Sequence, residues 1–181
     1  MKIDIFNTDK KYDIIYADPP WTYKDAKGHD PKMGGATYQQ MADEELQKMD
    51  IPRIAGKDCV LFMWVTMPKL QEGLDLIKAW GFKYKTCAFC WVKQNPKNDG
   101  IYSGLGHWVN GNAELCLLAT KGKPKRISKN VKQIVMAHRG RHSEKPAEVR
   151  DRIVALMGDI PRIELFARQY ADGWDCWGNE V

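Results

Sequence analysis

The sequence has no long run of apolar residues. The longest runs, such as residues 59–65, are far shorter than the roughly 20 residues that a membrane-spanning helix needs. The N-terminal residues contain neither an apolar stretch nor a small-residue cleavage site, so we expect a cytoplasmic protein that is not secreted. Internal repeats and low-complexity segments are also absent. These absences argue against a membrane protein, a coiled coil and a collagen, and the 181 residues predict a single domain spanning 1–181.

Cysteine is scarce and scattered along the chain. There are five cysteines, an odd number that is typical of a reduced chain, so no disulfide scaffold is expected. The one C-x-x-C, from Cys87 to Cys90, lies in an apolar run that predicts a strand, where positions three apart point to opposite faces. No second C-x-x-C or nearby histidine pair occurs. The sequence therefore predicts no metal site.

Two nucleotide-binding fingerprints are missing as well. Neither G-x-G-x-x-G nor G-x-x-x-x-G-K-[ST] occurs anywhere in the chain. The first is typical of dinucleotide-binding folds and the second of P-loop enzymes. Their absence argues against a dehydrogenase and against an NTPase.

Acidic residues are missing from the whole interval between Glu114 and Glu144. Eight of the 28 basic residues lie in this interval, which leaves 20 basic against 23 acidic residues elsewhere. The eight are Lys121, Lys123, Lys125, Arg126, Lys129, Lys132, Arg139 and Arg141. In a chain of net charge +5, a basic stripe on a mildly acidic body is typical of a protein that binds a polyanion such as nucleic acid. The charge alone fits a solvated loop equally well.

Apolar runs of strand composition alternate with amphipathic helical patterns. The strand patterns cover residues 12–17, 60–65, 82–92, 113–119, 131–136 and 162–166, and the helical patterns cover 43–49, 68–80 and 146–157. Such alternation predicts an α/β fold with a mainly parallel sheet and helices on both faces. In sheets of this kind, ligands bind at the carboxyl ends of the strands. The residues that follow each predicted strand are therefore the candidates for function.

The tetrapeptide Asp18-Pro19-Pro20-Trp21 directly follows the first predicted strand. Pro19 and Pro20 have no N–H to donate and hold the backbone stiff, so we expect their carbonyls to be fixed acceptors without a competing donor. Asp18 directs a carboxylate into the crevice, and Trp21 offers a flat apolar face. Two acceptors beside a stacking surface suit an aromatic base with an exocyclic amino group. The alternative is a turn that ends the strand, with Trp21 in the core.

Methylation of such an amino group fits these residues. The amino nitrogen of adenine is a poor nucleophile because its lone pair is delocalised into the ring. Hydrogen bonds accepted by Asp18 and by a proline carbonyl would localise that lone pair, which is electrostatic preorganisation for the transition state. The electrophile would be the methyl group of a sulfonium, held in line with the nitrogen. We therefore interpret the tetrapeptide as the catalytic motif.

The tetrapeptide resembles the catalytic motif of amino-group methyltransferases that use S-adenosylmethionine. Matching stretches occur in the same order at residues 11–21, 61–66, 80–82, 91–93, 106–108, 145–146, 163–168 and 177–179. This pattern covers nearly the whole chain and resembles the adenine methyltransferase family typified by the catalytic subunit of the eukaryotic mRNA adenosine methyltransferase. The resemblance implies a Rossmann-like methyltransferase fold with S-adenosylmethionine as cofactor. It also implies a minimal bacterial or phage member of the family.

The resemblance implies which residues bind the cofactor. Asp4 and Ile5 match the segment beside its adenine, and Lys145 matches a lysine at its carboxylate end. The other implied cofactor positions are Asp18, Glu164, Arg168, Asn179 and Glu180. Two departures affect this group. Residues 169–171 are Gln-Tyr-Ala where the family has Pro-His-Asn, and Glu180 stands where a glutamine is usual.

A second group of residues is implied at the nucleic acid. Tyr38 matches a gating tyrosine at the target base, and Glu114 matches a carboxylate that lines the same pocket. Lys93 ends one of the matching stretches and is assigned to the substrate as well. The basic interval adds Lys125, Arg126 and Lys129 as phosphate contacts.

The sequence favours DNA as the substrate polymer and leaves RNA as the alternative. DNA is favoured because adenine methylation of DNA is the commoner use in bacteria and phages. A non-catalytic nucleic-acid-binding partner and a protein glutamine methyltransferase are further alternatives, but the first kind lacks the catalytic aspartate and the second carries asparagine there. No segment of the chain resembles a separate target-recognition domain. Opening a DNA duplex would then need a homodimer, a partner subunit or a preference for single strands, and the sequence does not choose among them.

Overall fold

Strands and helices alternate along most of the chain. The computed structural model describes residues 1–23, 40–106, 108–140 and 144–181. The strands are β1 (Tyr12–Ala17), β2 (Ala55–Val65), β3 (Lys83–Gln94), β4 (Ala113–Lys121), β5 (Ile134–His138), β6 (Arg162–Leu165) and β7 (Asp175–Trp177). The helices are α1 (Asp43–Lys48), α2 (Ile51–Ile54), α3 (Leu70–Ala79) and α4 (Glu148–Met157), with a short 3-10 helix at Met67–Lys69. Every predicted strand and helix forms, whereas α2 and β7 were not predicted.

The strands of the described residues form one sheet in the order β5-β3-β4-β2-β1-β6-β7. β1 pairs in parallel with β2 and β6, β6 with β7, and β3 with β5. β4 runs antiparallel to both of its neighbours, β2 and β3. The prediction of a mainly parallel sheet is therefore confirmed, with β4 as the exception. The chain returns from β3 to β4 by a hairpin instead of a helical crossover, which makes that pair antiparallel.

Helices cover both faces of the sheet, as predicted. Side chains of β2 alternate between the faces, so Leu61 and Met63 join one core while Phe62 and Trp64 join the other. The first core receives Leu46, Ile51, Ile54, Leu76 and Ile77 from α1, α2 and α3, and the second receives Val149, Ile153 and Met157 from α4. Among the described residues, no helix is long and apolar enough to cross a membrane.

The strand β7 has only three residues and follows a polar stretch, so it lacks the apolar pattern that predicts a strand. It pairs in parallel with β6, with Leu165 opposite Trp177. The N-terminal segment continues this pairing, because the Ile3 N–H donates to the Cys176 carbonyl at 2.8 Å. Pairing with a neighbour that is already in place, and not its own composition, makes β7 a strand.

The carboxyl ends of β1, β2, β3, β5, β6 and β7 lie along one edge of the sheet, which we call the carboxyl edge. β4 runs the other way and brings its first residues there, so Leu115 lies opposite Val65 and Ala113 opposite Val92. α4 begins at this edge and ends at the opposite one, since it leads back to the start of β6. The carboxyl edge is where the sequence predicts the functional residues.

Candidate active site

A row of alternating charges lies at the middle of the carboxyl edge. Lys145, just before α4, places its Nζ 2.7 Å from Asp18 Oδ2 and 3.3 Å from Glu114 Oε2. Glu114 is the second residue of β4, and its Oε1 lies 2.5 Å from the Nζ of Lys93 on β3. We call these four residues, Asp18, Lys145, Glu114 and Lys93, the ionic cluster. The fold thus brings together four predicted site residues that lie far apart in the sequence.

Burial and neighbouring charges shift the pKa values of the ionic cluster in opposite directions. Burial raises the pKa of Asp18 above its ordinary value, and Lys145 opposes this increase. Burial would also raise the pKa of Glu114, but Lys145 and Lys93 together hold it below its ordinary value. Burial would lower the pKa of Lys145, yet Asp18 and Glu114 outweigh burial and raise it. At neutral pH Lys145 is therefore a cation between two carboxylates, of which Asp18 takes up a proton more readily.

Two aromatic residues of the sheet hold Lys145 in position. Its Nζ lies 5.7 Å from the centroid of the Trp64 ring, within the range of a cation–π attraction. The indole N–H of Trp64 donates to the Tyr16 hydroxyl at 2.6 Å, which fixes the ring. Tyr16 belongs to β1 and Trp64 to β2. Two central strands of the sheet therefore position the ammonium group of Lys145.

The backbone of the tetrapeptide differs from the prediction. The Pro19 carbonyl accepts the N–H of Trp21 at 2.9 Å, and the Pro20 carbonyl accepts the N–H of Met41 at 2.9 Å. The prediction that these carbonyls have no competing donor is therefore wrong, because the turn closes on itself and a later segment pairs with it. A carbonyl oxygen has two lone pairs, so Pro19 and Pro20 each retain the capacity for one further hydrogen bond.

Trp21 also differs from the prediction. It is 4% exposed and belongs to the core on the side of α1, α2 and α3. Its indole N–H donates to the Trp64 carbonyl at 3.2 Å. The ring is therefore a core residue in this structure and not an open stacking surface. Burial of its large apolar area stabilises this position, which is the alternative that the tetrapeptide also allowed.

Glu164, a predicted cofactor contact, forms a buried ion pair with Arg150 of α4. Arg150 Nε lies 2.6 Å from Oε2 and its second nitrogen 2.9 Å from Oε1, so both oxygens of the carboxylate are engaged. Burial raises the pKa of Glu164, and Arg150 opposes that increase. Sequence reasoning missed Arg150. The available signal was a carboxylate in an apolar strand, which needs a cation from the helix that covers it.

The ends of β6 and β7 approach each other closely at the carboxyl edge. Phe166 has a φ of +60°, in the left-handed region that bulky residues seldom adopt. A Cβ on Gly178 would lie 2.2 Å from the Ala167 carbonyl oxygen, so only glycine fits there. The Ala167 N–H donates to the Trp177 carbonyl at 2.9 Å, which holds the two ends together. The cofactor positions predicted on either side share this backbone junction.

The remaining predicted cofactor positions lie near that junction and differ in exposure. Ile5 is buried in the core, so only its backbone is available to a ligand. Asp4 is exposed, and its Oδ1 accepts a backbone N–H two residues further on at 3.0 Å. Arg168 Nε lies 3.6 Å from Glu180 Oε1. Asn179 is exposed.

The loop between β4 and β5 lies away from the ionic cluster. Its predicted phosphate contacts Lys125, Arg126 and Lys129 are exposed. Between them, the Ile127 N–H donates at 2.8 Å to the carbonyl of Leu156, near the end of α4 that lies opposite the carboxyl edge. The structure therefore does not bring these three cations to the other substrate positions, because the antiparallel β4 ends at the far edge. The predicted gating residue, Tyr38, lies outside the described residues, as does Arg141 of the basic interval.

Within the described ranges, no three His, Cys, Asp or Glu side chains come together as a metal site requires. All five cysteines are free, and Cys87 and Cys90 are half-buried on β3. Burial raises the pKa of both thiols, which keeps them protonated at neutral pH.

Comparison with known proteins yields one family and several relatives. The family profile of MT-A70 matches residues 12–180. The type II methyltransferase M.MunI of a Mycoplasma species is 38% identical over 190 residues, which cover 95% of this chain and 78% of that protein.

Eukaryotic relatives are similar over a smaller share of their own length. The MT-A70-like N(6)-adenosine-methyltransferase of Arabidopsis thaliana is 31% identical over 99% of this chain and 25% of its own length. The human N(6)-adenosine-methyltransferase catalytic subunit METTL3 is 30% identical over 94% of this chain and 28% of its own length. The chain thus spans about a quarter of these relatives and most of M.MunI.

Proposed function

Since the chain belongs to the MT-A70 family of adenine methyltransferases, we propose that it transfers the methyl group of S-adenosylmethionine to the exocyclic amino nitrogen of adenine in DNA. The observation that carries this proposal is the contact between Asp18 and Lys145 at the end of β1. It places a charged acceptor, held by a buried cation, where ligands of such sheets bind. The scattered free cysteines suit a cytoplasmic site for the reaction.

The donor groups at the carboxyl edge fit S-adenosylmethionine. This cofactor carries an ammonium and a carboxylate at one end and a ribose with adenine at the other, and when bound it supplies an electrophilic methyl group. Asp18 and Lys145 would hold its charged end, Glu164 and Arg168 its ribose, and the backbone of Ile5 its adenine. Arg150 already engages both oxygens of Glu164, so we assign Glu164 only a shared contact with the ribose.

The chemistry at the adenine depends on acceptors of hydrogen bonds. Asp18 accepts one hydrogen of the amino group, and the free lone pair of the Pro19 carbonyl accepts the other. Both bonds strengthen as positive charge builds on the nitrogen, which lowers the barrier. The methylated nitrogen then loses a proton, and Asp18 receives it. The raised pKa of Asp18 favours this step, because its carboxylate is a stronger base than an exposed aspartate.

The relatives support DNA more than RNA as the polymer. Type II methyltransferases act on DNA, and this chain covers most of the length of M.MunI. RNA adenosine is the second candidate, because relatives at 30–31% identity are named adenosine methyltransferases. The test below therefore includes both polymers, which differ in the 2′-hydroxyl.

The test is incubation with S-adenosylmethionine and four matched oligonucleotides, single- and double-stranded DNA and RNA. Mass spectrometry of the released nucleosides identifies the product. We expect N6-methyldeoxyadenosine from DNA, and about a hundredfold to a thousandfold less of it with the Asp18→Ala variant. Methylation of RNA but not of DNA would show that RNA adenosine is the substrate. Absence of methylated adenine from all four would overturn the proposed function.

A further inference from the structure

The edge of the sheet opposite the carboxyl edge, which we call the amino edge, carries an excess of positive charge. The starts of β2 and β3 meet the end of β4 there, with Cys59 opposite Lys121 and Lys83 opposite Thr120. Four segments form the part of this edge that concerns us: residues 9–13, 50–58, 83–85 and 120–126. They carry ten basic and four acidic residues, a net charge of +6, in a chain whose total is +5. The rest of the chain is therefore close to neutral.

Two lysines of the amino edge converge on the end of the short helix α2. Lys121 Nζ donates to the Pro52 and Ala55 carbonyls at 3.3 and 3.4 Å. Lys11 Nζ donates to the Arg53 carbonyl. The last carbonyls of a helix have no partner within it and carry its negative pole, so they attract cations. These carbonyls orient the ammonium groups but have no net charge, so both lysines keep their positive charge.

Two further lysines lie side by side next to this helix. Residues 56–58 bulge from the sheet, because β2 is longer there than the facing part of β1, and Lys57 in this bulge is exposed. The turn after β4 packs on the bulge through Gly122, which has a φ of +68° and where a Cβ would lie 2.3 Å from the Lys57 carbonyl oxygen. The backbone N–H of the exposed Lys123 donates to Asp58 Oδ1 at 2.6 Å. The backbone thus fixes both lysines in position and leaves their ammonium groups to a ligand.

The lysines of the amino edge differ from those of the carboxyl edge in their partners. At the carboxyl edge, Lys93 and Lys145 each contact a carboxylate within the ionic cluster. Across the described part of the chain, no ion pair engages five lysines of the amino edge, which are Lys11, Lys57, Lys83, Lys121 and Lys123. Cations that repel one another and have no anion beside them are typical of a surface that binds a polyanion.

We propose that the amino edge binds the phosphate backbone of a second segment of duplex DNA while the carboxyl edge holds the target adenine. The inference rests on the proposed function and adds a second binding surface to it. Phosphate contacts carry no sequence information, so this segment needs no adenine. The surface would keep the enzyme on DNA while its active site acts on another stretch.

The segment at the amino edge cannot be the one at the active site. β1 has six residues, so it separates the two edges by roughly 20 Å. A DNA duplex is stiff over about 150 base pairs, so it does not bend around a domain of this size without a large cost. The second segment is therefore a separate duplex or a distant part of the same long molecule.

The first test removes charge from three exposed lysines of the amino edge. One variant combines Lys57→Gln, Lys83→Gln and Lys123→Gln, and its matched control has Arg at the same three positions. Their side chains form no bond with the described residues, so both variants should fold. Fluorescence anisotropy measures the affinity for a long duplex of G·C pairs, which contains no target adenine, across a range of salt concentrations. We expect the slope of log affinity against log salt to fall by about one for each lysine in the Gln variant, and to stay at the parent value in the Arg variant.

A second measurement asks whether one protein holds both nucleic acids. A donor dye is placed on a short adenine-containing single strand and an acceptor dye on the G·C duplex. We expect energy transfer with the parent and with the Arg variant, and none with the Gln variant. Methylation of the short strand should proceed at the parent rate in all three proteins, because the substitutions lie at the edge opposite Asp18.

The outcomes separate this inference from the proposed function. A Gln variant with the salt slope of the parent would overturn the inference, because the lysines would then be solvated. Energy transfer that persists in the Gln variant would overturn it too, because another surface or another copy would then hold the duplex. In both cases methylation by the parent leaves the proposed function standing. If the parent methylates neither DNA nor RNA, the proposed function fails, and the salt slopes still decide whether the amino edge binds duplex DNA.

Discussion

Asp18 combines two properties that are rarely found in one surface carboxylate. It is partly buried at the end of β1, and its oxygen lies 2.7 Å from a buried ammonium. The cation orients the carboxylate, while burial makes it basic. A hydrogen-bond acceptor in such a place strengthens interactions that develop only in the transition state.

Replacement of Asp18 by Ala or Asn should abolish most of the methylation. Asn keeps the shape and an acceptor oxygen but loses the charge, so we expect a loss of about a hundredfold to a thousandfold in turnover for either variant. Transfer of tritiated methyl groups to an adenine-containing oligonucleotide measures this loss. Thermal unfolding serves as the control. An Asp18→Ala protein that melts at the parent temperature and methylates within a fewfold of it would place the active site elsewhere.

The dependence of activity on pH should follow the titration of the Asp18 carboxylate. Asp18 acts as its anion, and burial raises its pKa, so activity should fall as the pH drops through a value above that of an ordinary aspartate. Lys145 opposes that increase, so Lys145→Met should move the acid limb of kcat/KM to higher pH while Lys93→Met moves it little. The measurement is a pH profile of kcat/KM for the three proteins. Identical limbs in all three would show that Asp18 is not the titrating group.

At the level of elements, sequence patterns predicted the strands better than they predicted which side chains meet at the strand ends. β2 is a continuous apolar run because both of its faces are covered, so composition alone indicates it. Asp18 could be found because it follows a predicted strand. Its partners could not be derived from periodicity, since Lys145, Glu114 and Lys93 come from three separate elements that only the resemblance connected.

The features that escaped prediction depend on contacts between distant segments. The Pro20 carbonyl is engaged by Met41, some twenty positions along, and Trp21 is buried by packing that no tetrapeptide reveals. In the sequence, nothing separates Arg150 from the other charged residues of its amphipathic helix. Its role follows only from the ion pair with Glu164 of β6. Local sequence determines which elements form, and the sheet order determines which side chains meet.

Variants in the loop between β4 and β5 test whether the basic interval of the sequence binds the phosphates of nucleic acid. The triple variant of Lys125, Arg126 and Lys129 to Ala should leave the turnover on a short oligonucleotide unchanged, because the loop lies at the edge opposite Asp18. For a long duplex, we expect the slope of log affinity against log salt to fall by about one for each lost phosphate contact. The measurement is the affinity for each DNA across a range of salt concentrations.

A control for that variant removes charge from another surface. Lys48 and Lys78 are exposed on α1 and α3, so Lys48→Ala with Lys78→Ala changes the net charge without touching the loop. The salt slope of this control should match the parent. An equal slope for the triple variant would identify the loop as a solvated segment.

For the molecule as a whole, we expect activity without a metal ion. Methyl transfer from a sulfonium needs no Lewis acid, and the ionic cluster uses an ammonium group to orient its carboxylates. Methylation should therefore be the same before and after treatment with EDTA. A control reaction with added MgCl₂ distinguishes effects of magnesium on the nucleic acid from effects on the enzyme. Loss of activity in EDTA that zinc or magnesium restores would contradict this expectation.

The parallel pairing of β1 with β6 also delays assembly of the candidate site during synthesis until β6 has been made. Ile15 pairs with Ile163, and the strands β2, β3, β4 and β5 are all made between the two. Contacts between residues so far apart in sequence form slowly, because a long loop must close before they gain stability. Until β6 and β7 have been made, a nascent chain therefore carries Asp18 without Glu164 or the junction of β6 and β7 beside it. We therefore expect a nascent chain to methylate nucleic acid only after β6 has been made and has paired with β1.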